Sequence, residues 1–560
     1  MSTGGWRAGL MWLGGLAPLS AQVPERPAGA AVELPPMLVE ESVSTAPWYY
    51  VKAGGTEFLS RCSTSTTRSF VEAWLRQMEL VRVLVPEEFL ARLEVPTIFV
   101  LYAQDLDQTV SAEIQRELNA ADERRAGAGG PRSGGANIAP SMRLADRDMH
   151  ASIAYIDESL FDAETLSVSP GHVYYLLRAR VPELPPWLVE GIERLHRGAD
   201  FVAEPITLNP MVWINRTESS ALARDPSHPR PLLPAGELFA PDGARAAESR
   251  LIARVQARSA TQELFVRWAL VSGGPVRDAF WRFVARAATG PVVEEDFEAC
   301  FGFGYADLRD RLSDYLPRAV SEWHRLRPPR RPETPAYDLD RATSGQVARV
   351  RGEWERLAIG HVQRRLPAVR EPYVAQARRT LHRAYDAGDR DPALLATMGL
   401  CEIDAGDPEA ARRYLEPAVN QGVVRPRAYL ELALLRYADL LRDAPPDRRF
   451  PYSQLAPIVE PLRRSASQSP PLHEAVALLA EAWARCEQAP NAAEWAVLEE
   501  GARLFARNAA VTSSVALALA RHGRAGEAAG WLDVSAAYAA DDALREAIAK
   551  VRAELAGAGR

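Results

Sequence analysis

Cysteine is scarce in this chain of 560 residues: Cys62, Cys300, Cys401 and Cys486 lie far apart, and no two form a close pair. That spacing excludes a zinc knuckle and a Cys-x-x-Cys redox motif, leaving buried thiols or one long-range disulfide. Lysine is nearly absent, with only Lys52 and Lys550. No dense arginine block takes its place and the net charge of -7 is mild, so nucleic acid and anionic lipid are not expected partners. Arginine in place of lysine, with abundant alanine and proline, reads as GC-rich bacterial coding and not as chemistry. Beyond the N-terminus no apolar run reaches about 18 residues, so nothing else is expected to span a membrane. The nine histidines are scattered, no Gly-x-Ser-x-Gly elbow occurs, and the Gly-rich stretch 126–137 lacks the Gly-Lys-Ser/Thr ending of a phosphate loop.

What is present is the composition of an ordinary soluble protein, 47% hydrophobic and 25% charged, long enough for two or three domains. Arg7, an apolar stretch from Ala8 to Leu19 and then Ser20-Ala21 have the layout of a secretory signal. Residues 1–21 are therefore expected to be a signal peptide and 22–46 a Pro-rich leader, placing the mature protein in the periplasm or cell envelope. Folding is expected to begin near Trp48. Thr56 to Ser60 reads as a strand; Phe70, Trp74, Met78, Val81 and Leu84 recur at helical spacing, and Pro96 to Tyr102 returns to a strand. Ala151 to Asp157 is a further strand candidate.

Pro-rich breaks at 226–241 and 327–335 bracket a helical block holding Leu264, Trp268, Phe280 and Phe283. From about residue 370 the sequence is almost wholly Ala, Leu, Arg and Glu at helical period. There Gly406, Ala411 and Leu415 share their offsets with Gly523, Ala528 and Leu532, and Gly399 falls on Ala516. This spacing resembles tetratricopeptide repeats, in which small residues let paired helices approach closely; a plain Ala-rich helical bundle is the alternative. Asp391-Pro392 and Asp407-Pro408 suit helix starts, with Asp capping free amides and Pro at the first helical position.

Two stretches carry the remaining signal: Ser169-Pro170-Gly171-His172-Val173-Tyr174-Tyr175-Leu176, and Leu184-Pro185-Pro186-Trp187-Leu188-Val189-Glu190-Gly191. Together they resemble the gluzincin, peptidase-MA-like metallopeptidases, in which one helix carries His-Glu-x-x-His and a later Pro-x-Trp-Leu-x-Glu-Gly helix carries a glutamate as third zinc ligand. The second motif matches well. In the first, placing His172 as first ligand leaves Val173 as base and Leu176 as second ligand; placing it second leaves Val168 and Ser169. Either register loses two of the three groups that zinc hydrolysis needs. The resemblance spans roughly residues 47–320 and implies an α+β zincin-like domain at 47–225, its helical C-terminal part at 226–325, a linker at 326–369 and an all-α tetratricopeptide-like solenoid at 370–560. His172 and Glu190 are the remnant metal positions, no cofactor is expected, and the implied role is a non-catalytic pseudopeptidase binding protein or peptide. The alternative is a zinc metallopeptidase with substituted ligands, in which Glu190, Glu193 and His196, spaced three apart along one expected helix, join His172.

Overall fold

The computed structural model describes residues 46–103, 141–163, 170–201, 205–225, 227–240, 252–327, 335–365, 367–445, 448–539 and 542–558. The expected signal peptide, nearly all of the leader and the Gly-rich stretch 126–137 lie outside them.

Strands β1 (Tyr49–Ala53) and β2 (Thr56–Ser60) form a hairpin whose Gly54-Gly55 turn has φ of 54° and 75° at its two positions. Only glycine adopts that pair without strain, and a Cβ on Gly54 would also fall 2.6 Å from Leu75. Helix α1 (Thr64–Leu84) starts where the Ser63 hydroxyl accepts from the Thr66 amide, and crosses to β3 (Thr97–Ala103), parallel to β2. Next come β4 (Ser141–Ala145) and β5 (His150–Ile156), antiparallel to one another, with β5 parallel to β3. All seven residues of β3 are buried, as a continuous apolar run in a sheet covered on both faces should be.

The next block is helical: α2 (Pro170–Arg178), α3 (Pro186–Arg197), α4 (Arg216–Arg224), α5 (Ala235–Leu238), α6 (Ile252–Val271), α7 (Gly274–Thr289), α8 (Glu294–Phe301) and α9 (Tyr305–Ser321). Within it β6 (Ala199–Asp200), β7 (Ile206–Leu208) and β8 (His324–Leu326) make a small antiparallel sheet. A single apolar core joins α1 and one face of the large sheet, through Phe58, Phe99 and Leu101, to α2, α3 and α6 to α9.

Within the stretch 326–369, expected as a linker, the described residues from 335 onward form regular elements. Strand β9 (Leu339–Arg341) pairs antiparallel with β1, completing a sheet of order β4-β5-β3-β2-β1-β9, and α10 (Ser344–Arg365) covers that sheet's second face. There Trp354, Leu357 and Val362 pack with Leu59, Ile98, Val100 and Ile153. The Pro-rich break hid this, because β9 is only three residues long and gains its order from a partner nearly 300 positions away.

Helix α10 also opens the C-terminal stack, pairing with α11 (Arg370–Asp386). The pairs α12 (Pro392–Ala405) with α13 (Pro408–Asn420), α14 (Pro426–Leu441) with α15 (Tyr452–Ala466), α16 (His473–Ala484) with α17 (Ala492–Leu504), and α18 (Ala509–Arg521) with α19 (Ala525–Tyr538) follow, before α20 (Asp542–Ala558). Asp391 and Asp407 cap α12 and α13 as expected, accepting from the amides of Ala393, Leu394 and Ala410. The repeated small residues sit at the close contacts. Ala411, Leu415, Ala516, Ala528 and Leu532 are fully buried, and a Cβ on Gly399 would meet Leu415 Cγ at 2.6 Å and its backbone nitrogen at 3.1 Å. Gly406 and Gly523 take φ of 87° and 80° after α12 and α18, where left-handed backbone ends a helix. First helices pack on one another at α10–α12, α12–α14 and α16–α18, while α16 meets the pair before it through α15; we take the face formed by these first helices as the inner one.

Candidate functional site

The well-matched motif in α3 is explained by packing. Pro185 is the N-cap and Pro186 the first helical residue, where its missing amide hydrogen costs nothing. Trp187 is buried within 6.2 Å of the ring centres of Phe239, Phe265, Phe280 and Phe283. Gly191 lets α3 touch α6: a Cβ there would stand 2.6 Å from Val266 and 2.9 Å from the Gln262 carbonyl oxygen. These positions thus have structural roles that need no metal.

The candidate ligands divide between two surroundings. His172, in the first turn of α2, points into the core with its ring centre 4.7 Å from Trp74 and 5.1 Å from His150 on β5. Burial first, then the nearby His150, Arg143 and His196, hold its imidazole well below the usual range. His196, at the end of α3, packs 4.5 Å from Phe201, and burial lowers it to about 4; His150 is lowered to about 4 by the same cause. All three are therefore neutral at pH 7. Among the described residues, no hydrogen-bond partner reaches Nδ1 of His150 or His172, either ring nitrogen of His196, or the Tyr175 hydroxyl.

The carboxylates of α3 act on other groups as well. Glu193 pairs with Arg197 at 2.5 Å on the surface. Half-buried Glu190 acts, with Glu193, on Tyr174, whose phenol is raised chiefly by burial. The structure thus brings His150 within 5.1 Å of His172, with His196 near enough to act on the same imidazole. Among the described residues, no three His, Cys, Asp or Glu side chains are arranged to hold a metal ion. The four cysteines are free thiols, with no disulfide between them.

A second polar cluster went unread in the sequence. The turn between β4 and β5, Asp146-Arg147-Asp148, is tied by the Asp146 amide donating to the Met149 carbonyl at 2.8 Å, and it enters the inner face of the helical stack. Asp146 receives Arg356 of α10 at 2.8 Å and also pairs with Arg427 of α14. Asp148, fully buried, lies 3.1 Å from Arg425 Nε and accepts from the Arg427 amide at 2.8 Å. Arg147 reaches Glu431 of α14 at 3.3 Å and Glu474 of α16 at 3.0 Å. Behind them Glu353 binds Arg356, Arg425 and Thr397, while Asp404 of α12 binds Arg356 and Arg427, each at 2.6 Å. Although burial opposes it, the arginines around Glu353 hold its carboxyl down at about 2, and Asp146 is likewise depressed; burial instead raises Asp148. The legible signal was the acid–base–acid triplet between two strands, matched by arginines set among apolar helix positions.

Further ties join the halves. Arg349 of α10 grips Glu57 of β2 through two bonds of 2.8 Å; the Glu94 amide donates to the Ser469 carbonyl at 3.0 Å; and Arg507 donates to the Ala287 carbonyl of α7 at 3.0 Å.

No family model matches the chain, and no curated protein matches it. Among solved structures it is similar to the tetratricopeptide-repeat domain of P58(IPK), at 12% identity over 57% of this chain and 88% of that one, with a TM-score of 0.15. So low a score carries no weight for fold or function. The chain is a largely helical protein with repeat-like helix pairs, and that description stands on the pairing itself.

Proposed function

We propose that this is an exported, non-catalytic protein of the bacterial envelope, whose first half is a peptidase-like domain without its chemistry and whose helical stack binds protein or peptide. One observation carries the reading: the stack repeats one hairpin unit, with Gly399 held against Leu415 and, at the matching places of a later pair, Ala516 and Leu532 fully buried. Such arrays present long ordered surfaces suited to protein partners. The first half supports it through an α3 motif kept by packing, beside a His172 motif that offers Val173 or Ser169, according to register, where a general base would stand. No described helix is long and apolar enough to cross a membrane.

The test is cross-linking with mass spectrometry of the full chain in the envelope of its own cells. Recurrent cross-links from one protein to α13, α15 and α17 are expected. Cross-links to the first half alone would overturn the assignment of binding to the stack, and absence of a cleaved N-terminus from the cell-associated protein would overturn export.

A further inference from the structure

We infer that the inner face of the helical stack is a receptor for this chain's own Asp146-Arg147-Asp148 turn, so that the stack acts first as an intramolecular clamp and offers partners only its other surfaces. Inner helices of four successive pairs take part: α10 through Glu353 and Arg356, α12 through Thr397 and Asp404, α14 through Arg427 and Glu431, and α16 through Glu474. The complementarity follows the turn residue by residue. Each acid meets arginine and the one base meets two carboxylates, in the order that a single register of the stack along the sheet allows. Ligands of helical arrays commonly enter on this face, and here the space is filled by a covalently attached segment.

Buried ion pairs are weak sources of net stability, because desolvation offsets most of the attraction, yet an unpaired member is costly. The network therefore works chiefly by specifying position: a stack displaced by one helix pair would carry Arg425 and Arg427 away from Asp148, which is fully buried, while Glu353, Arg356 and Arg425 would keep only partners within the stack. Glu57–Arg349 fixes one end of the same alignment and Arg507 the other. This inference concerns the stack and the first half alone, so it stands or falls separately from partner binding.

The test uses amide hydrogen exchange on the full chain. Arg147 is about one-third exposed, so Arg147→Glu sets three carboxylates against one another without opening the core. Exchange is expected to quicken about tenfold both in β5 and across α14 and α16, and to recover most of that loss in Arg147→Glu/Glu474→Arg. Should the reversal not fold, Arg147→Met with the same readout serves, with a smaller rise in the same segments. Faster exchange confined to 145–149, or a double variant no better than the single ones, would overturn the clamp.

Discussion

Gly399→Ala separates close helix pairing from helix propensity, because the two effects have opposite signs. In the middle of α12 alanine gains about 1 kcal/mol over glycine from backbone entropy. Against that, the new Cβ would stand 2.6 Å from Leu415 Cγ, 2.7 Å from its Cδ2 and 3.1 Å from its backbone nitrogen. The side chain can turn away, but the backbone contact yields only if α13 shifts, and overpacking of this kind costs about 1–3 kcal/mol. The net expectation is a loss of about 1 kcal/mol, even though Ala516 occupies the matching place in α18 with full burial. Leu415→Ala alone should cost about 2–5 kcal/mol through its cavity. In the double variant the cavity receives the new methyl, so the combined loss should fall short of the sum by about 1 kcal/mol. Urea denaturation followed by circular dichroism measures all four corners of the cycle. A gain of about 1 kcal/mol in Gly399→Ala, with strict additivity, would refute the close contact and leave only propensity.

The buried imidazoles set an acid limit on stability. Unfolded histidines titrate near 6.5, whereas His150 and His196 are held at about 4, so between those values only the unfolded chain takes up the protons. The stabilisation is complete above pH 6.5 and is lost as pH falls toward 4, by up to about 3 kcal/mol for each group. Denaturation midpoints of wild type and His150→Gln at pH 7 and 4.5 check this: the variant should lose less on acidification, and an equal loss would contradict the burial argument. Trp187→Ala should cost about 3–5 kcal/mol, because four phenylalanine rings close around the side chain. Thermal unfolding reads it, and a loss under about 1 kcal/mol would mean that the motif is not held by packing.

Local chemistry was the legible part. The limits of β2, the Asp-Pro starts of α12 and α13 and the glycine, alanine and leucine offsets of the repeat each depend on near neighbours, and each stands where the residues placed it. Long-range pairing was not legible. Strand β9 is three ordinary residues until β1 lies beside it, and α10 reads as polar because it buries Glu353 and Arg356 as ions and not as apolar groups. The same blindness hid the 146–148 turn, since a charged triplet in sequence reads as a solvated loop. At the candidate site the pattern drew attention to α2 and α3. It gave no sign of His150, whose β-strand position becomes relevant only when the sheet packs under α2.

Absence of peptidase chemistry is the central claim, and the most direct measurement is zinc content and cleavage of an unfolded protein by the purified full chain, beside His172→Ala and Glu190→Ala. The account predicts no stoichiometric zinc, no cleavage with zinc supplied, and no difference in either readout among the three proteins. Stoichiometric zinc lost in both variants, with cleavage that vanishes alongside it, would contradict the account and establish a metallopeptidase with substituted ligands.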